Sequence, residues 1–258
     1  MNREFPRTWI FGLAWAFLLS VPSLWAQSDE TNASPDLENA AKQELDETNR
    51  FREEEKLPGL AGNPKLQAAA REFAEFLAKS DKFSHDADDR QPSDRVKAQS
   101  YEFCGLAENI AYEFSSTGFA ANELAGRFVE GWKKSPGHRK NMLDPDMTEI
   151  GIGVAKSAAS GKYYAVQVFA RPISAMIDFQ IKNDSGEAVE YQVGDDRYTL
   201  EPRYTQTHQL CRSERLHLVG KEGEPEPKSF EPAKGDRFTI EKDDGKLAMR
   251  KVEKSPAK

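Results

Sequence analysis

Apolar positions near the start of the chain recur twice at helical spacing. Leu37, Ala40, Ala41, Leu45, Thr48 and Phe51 keep one face. Ser34-Pro35 stands where a cap and a first helical residue belong, and Leu57-Pro58-Gly59 ends the pattern. Asn63-Pro64 repeats the opening, and Leu66, Ala69, Ala70, Phe73, Phe76 and Leu77 form a clean stripe behind it. A polar run, Ser84 to Arg95, leads to a short helical piece near Val96 and then to "CGLAENIAYEF". Leu124, Phe128 and Trp132, four apart, predict a third long helix between Phe119 and Lys133. "EIGIGVA" and "YYAVQVFA" flank a segment holding Ser160-Gly161 and read as a β-hairpin.

From Ser174 the period changes to two. Ile177, Phe179 and Ile181 alternate with polar residues, "NDSG" turns the chain, and Val189, Tyr191 and Val193 alternate again. "RLHLV", "RFTIE" and "KLAMRKV" continue the pattern, which predicts a small antiparallel sheet or sandwich. The fold class is therefore α+β, with a mixed region at 37–173, a β-rich module at 174–253 and a short tail at 254–258. At the other end, Arg3 and Arg7 precede an apolar run from Thr8 to Ala26 that stops at "LWA". This is the layout of a secretory signal at 1–26, followed by a polar linker at 27–36. A signal anchor is the competing reading. No cysteine follows the run to carry a lipid anchor, and no second apolar run is long enough to span a membrane.

Composition narrows the partners. Across 258 residues, 36 basic side chains meet 43 acidic ones, for a net charge of −7, so the basic face that nucleic acid requires is missing. Two cysteines exclude a multi-bridge scaffold and a four-thiolate zinc site. In a protein that is secreted, periplasmic or on the cell surface, Cys104 and Cys211 are expected to pair across the two regions.

Familiar catalytic signatures are absent: HExxH, GxSxG and GxxxxGK[ST] do not occur. Each of the four histidines must then be weighed singly. His208 and His217 fall in the β-rich region, where ordinary structural roles are the default. His85 follows the second helix, in "KFSHDADD". His138 stands in "WKKSPGHRKNML", where proline disfavours helix at Ser135. Ser135 can cap a fresh short helix, with Pro136 first and His138 third. There the positive end of the helix dipole, with Arg139 and Lys140, would keep the ring neutral and ready for a metal or a proton.

His85, "AENIA" at 107–111, "W..SPGHR.NML" at 132–143 and the hairpin at 149–170 occur in that order. The set resembles the CAP superfamily of cysteine-rich secretory proteins, antigen five and pathogenesis-related proteins, with bacterial exported members nearest in wording. The likeness runs from about Leu37 to Pro172. It implies an α-β-α sandwich with a cleft in which His85 and His138 hold a divalent cation, often zinc, with Glu108 lining the site. Many members carry a second glutamate three residues after the tryptophan. That position is Ser135 here, and neither Glu130 nor Glu149 matches the motif.

Three functions follow from these residues. One is an extracellular binding module whose cleft receives a lipid, peptide or glycan. Another is a structural or adhesive exoprotein with a vestigial site. The third is a metal-dependent hydrolase with Glu108 as general base, for which two histidines are a thin ligand set beside the three of catalytic zinc.

Overall fold

The computed structural model describes Met1 and residues 36–220 and 226–253. The secretory signal, all of the linker but Asp36 and the 254–258 tail therefore lie outside the described residues, Met1 apart. No described helix is long and apolar enough to cross a membrane.

Helix α1 spans Leu37–Glu54, and its cap is Asp36 rather than Ser34: the Asp36 carboxylate accepts from the amides of Glu38 and Asn39. After the two-residue strand β1, Ala61–Gly62, Asn63 caps α2, Pro64–Ser80, with Pro64 in its first turn. The short α3, Pro92–Ala98, leads to strand β2, Phe103–Glu113. Helix α4, Ala121–Lys134, passes through Ser135 into α5, Pro136–Met142. Strands β3, Glu149–Lys156, and β4, Tyr163–Pro172, form the expected hairpin.

These strands make one sheet in the order β1-β3-β4-β2, with only the β1–β3 pair parallel. Alternation along β4 divides the core. Tyr163, Ala165 and Phe169 pack with α1 and α4, while Tyr164, Val166, Val168 and Ala170 pack with α2. The result is the α-β-α sandwich. Leu124, Phe128 and Trp132 are almost wholly buried, and truncating Trp132 to alanine would cost about 3–5 kcal/mol. Gly151 and Gly153 explain the "EIGIG" wording. A Cβ at either would collide with the α2 backbone, at Leu66 or at Ala70 and Arg71. The helix lies directly on the strand.

The second half builds two four-stranded sheets around its own core. Strand β5 spans Ile177–Asn183, β6 Val189–Val193, β7 Asp196–Leu200 and β8 Thr205–Leu210. Strand β9 spans Leu216–Leu218, β10 Ser229–Phe230, β11 Asp236–Asp243 and β12 Lys246–Lys251. The sheets run β10-β9-β6-β7 and β12-β11-β5-β8, enclosing Phe179, Ile181, Tyr191 and Phe238. Pairing is antiparallel as expected except between β5 and β11, which run parallel. A period of two fixes which face a residue takes but not the direction of its neighbour.

The halves are joined covalently. Cys104 and Cys211 are disulfide-bonded, with Cα atoms 5.5 Å apart. Closing a loop of 107 positions contributes about 4–5 kcal/mol by restricting the unfolded chain. Beside it, Arg212 donates to Asp144 at 2.9 Å and to Asp146 at 3.3 Å, in the loop that follows α5. From the other side, the buried Arg52 donates to the carbonyls of Met142 and Asp144 at 2.7 and 3.0 Å. The end of the helix that carries His138 is thereby held from both halves.

Candidate functional site

Strand β2 lies at the edge of the sandwich sheet, so side chains from both of its faces reach the rim. Glu108 and Asn109 are adjacent on it and point to opposite faces. Glu108 is buried toward α3. Its Oε1 lies 2.8 Å from Nδ1 of His85, and Arg95 donates to its two oxygens at 3.0 and 2.8 Å. Asn109 turns the other way: its Nδ2 donates to the carbonyl of His138 at 3.2 Å and to Gln167 Oε1 at 3.2 Å. Asn141 completes the contact, donating to the Glu108 carbonyl at 3.3 Å and to Asn109 Oδ1 at 2.8 Å. The two predicted histidines are thus tied to one dipeptide from its two sides.

The rings also share an electrostatic neighbourhood. Burial holds the His138 imidazole below its ordinary range, and electrostatic repulsion from the neighbouring His85 pushes the same way. The flanking cations Arg139 and Lys140 are not among the causes. Arg139 turns to Glu55, at 2.7 Å, and covers the Phe51 ring. Ser135 occupies the cap position of α5, but its side chain makes no capping bond. Pro136 in the first turn starts the helix without it.

Glu108 is almost fully enclosed at its side chain. Both oxygens are engaged by Arg95, itself almost fully buried and paired with Asp88 at 2.8 Å. What remains for the carboxylate is to accept from His85. Among the described residues, no group of three or more His, Cys, Asp or Glu side chains converges to hold an ion. His208 is buried in the β-rich half against Tyr191, far along the fold from this edge. A hollow of about 530 Å³ between α1 and the start of α2, lined by Asn39, Leu45, Asn63 and Ile150 among others, touches neither histidine. The His85 side chain is about half exposed (49%).

Arg95 escaped the sequence reading because it closes a polar run, Ser84 to Arg95, that looks solvated throughout. The one hint was its place beside the apolar Val96 at the turn into a short helix. Gln167 was missed too, and Thr48 was read only as part of the inner face of the first helix. Gln167 Nε2 donates to Thr48 Oγ1 at 2.9 Å, extending the Asn109 chain of bonds through the core to α1.

Residues 45–169 match the family model described as CAP, the cysteine-rich secretory protein family. This region, with the sandwich and the motif order that runs through it, belongs to the CAP superfamily. Among curated proteins, the chain is 26% identical over 140 residues to the uncharacterized protein YkwD of Bacillus subtilis, covering 54% of this chain and 51% of that one. It is 34% identical over 131 residues to the uncharacterized membrane protein YlbC of the same organism, covering 50% of this chain and 34% of that one. The chain spans about half the length of the first and a third of the second. Among solved structures, an extracellular protein containing a SCP domain from Bacillus anthracis is 28% identical, with a TM-score of 0.45, covering 52% of this chain and 41% of that one.

Proposed function

We propose that this is an exported binding protein in which His85 and His138 share a divalent cation, zinc suiting two imidazoles best, in the cleft of the CAP domain with Glu108 beside them. The ligand received there would be extracellular: a lipid, a peptide or a glycan. One observation carries the reading. The His85 ring meets Glu108 and the His138 backbone carbonyl accepts from Asn109, while burial and the neighbouring His85 lower the proton affinity of the His138 ring. Neutral imidazole is the form that binds metal.

The donor set fits a weak site, two imidazoles completed by water, rather than the three protein ligands of catalytic zinc. Glu108, the candidate base, already accepts from Arg95 at both oxygens, so hydrolysis is the reading the geometry favours least. A structural or adhesive role comes second, favoured by the disulfide and the Arg212 ion pairs that fasten the two halves.

Calorimetry with zinc tests the proposal. His138→Ala should abolish binding and His208→Ala should leave it intact. Affinity should weaken as the pH falls below the ordinary imidazole range, near 6.5. Equal zinc affinity in the wild type and His138→Ala would end the metal reading.

A further inference from the structure

His85 lies in the loop between α2 and α3, yet a single guanidinium holds it at two points. Nη2 of Arg95 donates to the His85 carbonyl at 3.0 Å, and the same nitrogen donates to both oxygens of Glu108. Glu108 Oε1 in turn meets the His85 ring at Nδ1, 2.8 Å away. The other arm, Nη1, donates to Asp88 Oδ1 at 2.8 Å and to the Arg90 carbonyl at 3.0 Å. The guanidinium carbon lies 3.5 Å from the centroid of the Phe73 ring. Arg95 is 3% exposed, and Glu108 and Asp88 are 2% and 4% exposed at their side chains.

We infer that Arg95 is the positioning residue of His85. Through Glu108 it fixes the tautomer with the proton on Nδ1 and the Nε2 lone pair turned outward. The chemistry is directional. A carboxylate offers only acceptor sites. Glu108, held at both oxygens by Arg95, can meet His85 Nδ1 only if that nitrogen carries the hydrogen. Nε2 has no hydrogen-bond partner among the described residues, and it is the nitrogen left with a lone pair. Carboxylates often orient metal-binding histidines in this way from behind. What is particular here is that the orienting carboxylate is itself immobilised, by a cation that also grips the histidine's own backbone. Lysine could not replace it. A point charge lacks the planar fork that spans Asp88, Glu108 and two carbonyls at once.

This inference deepens the two-histidine proposal and rests on it only for what Nε2 then binds. The tautomer can be read without any metal, from the side-chain nitrogen shifts of ¹⁵N-labelled protein above the imidazole titration range, with His85→Gln to assign the signals. Wild type should show His85 protonated at Nδ1. Glu108→Gln should reverse it. The carboxamide oxygen would be claimed by Arg95, its NH₂ would face the ring, and Nδ1 would become the acceptor. Arg95→Lys keeps the charge but loses the fork, so it should lose the Nδ1–H signature and weaken zinc binding by roughly 10–100-fold. If Arg95→Lys does not fold, the Glu108→Gln reversal decides alone. A retained Nδ1–H signature in Glu108→Gln, or a wild-type spectrum and zinc affinity in folded Arg95→Lys, would overturn the inference. Tautomer reversal in a protein that binds no zinc would sustain the positioning role and remove the metal proposal instead.

Discussion

Two glutamates are buried on opposite faces of the sandwich sheet, in contrasting surroundings. Glu108, on the α2 and α3 side, accepts from Arg95 and meets His85, and nearly all of its side chain is enclosed by those partners. Glu44, on the α1 side, is fully buried, and neither of its oxygens has a hydrogen-bond partner among the described residues. Burial alone pushes its carboxyl well above the usual carboxylate range, because the charged form has nothing to replace the water it lost. The difference teaches what a buried acid needs before it can do directional chemistry. With a fixed cation it is a shaped acceptor. Without one it is a neutral group that costs stability.

Converting the first kind into the second should have the largest effect. Arg95→Met strips Glu108 and Asp88 of their shared cation in the interior. Removing one partner of a buried ion pair costs about 3–5 kcal/mol, and the loop that carries His85 loses two carbonyl bonds as well. Chemical denaturation should show a loss of that order. A loss under about 1 kcal/mol, within the range of exposed ion pairs, would mean the cluster is solvated and that the contrast with Glu44 is overdrawn.

The opposite substitution should help. Glu44→Met has similar volume and removes two unsatisfied oxygens from an apolar layer. Leaving a buried polar group unpaired costs about 1–3 kcal/mol, so the variant should be more stable by that order at neutral pH. An unchanged or lower midpoint in denaturant would show that Glu44 finds partners in solution.

Both glutamates also mark where the sequence could and could not be read. Asn63-Pro64, the Leu124–Phe128–Trp132 stripe, the 149–170 hairpin and the Pro136 restart all declare themselves through local physics: caps, periods and breakers. The motif order pointed to His85, Glu108 and His138, and the structure ties both histidines to Glu108–Asn109. Glu44 and Arg95 stayed hidden for one reason. Periodicity assigns charged positions to the solvent side, and their burial is decided by what the rest of the chain packs over them. The Asn109–Gln167–Thr48 chain was equally invisible, since it joins residues up to 119 positions apart. In β2 the "AENI" stretch shows no alternation, because Glu108, Asn109 and Ile110 are all buried, on both faces of the strand.

The smallest effect separates the buried acid from the buried histidines by sign. Glu44 has a raised proton affinity in the fold, so its contribution is best below its ordinary value, about 4.5, and declines as the pH rises from there. His138 and His208 are shifted the other way, both first by burial. The unfolded chain protonates them more readily, so their penalty on folding grows as the pH falls below about 6.5. The slopes therefore oppose one another in weakly acidic solution, and wild type should show a shallow profile there. Glu44→Gln should remove the declining limb above 4.5 and leave a net rise of stability with pH. For the histidine side, His208 must be removed together with its partner, because Tyr191 lies 2.7 Å from its Nε2 and would be stranded. The double variant His208→Phe, Tyr191→Phe should make the acid limb shallower, leaving the His138 share of it and the Glu44 limb as they were. Denaturation midpoints of the three proteins across the pH series would show it. A Glu44→Gln profile parallel to wild type would mean that Glu44 ionises inside the fold, and the contrast with Glu108 would then lie in geometry alone.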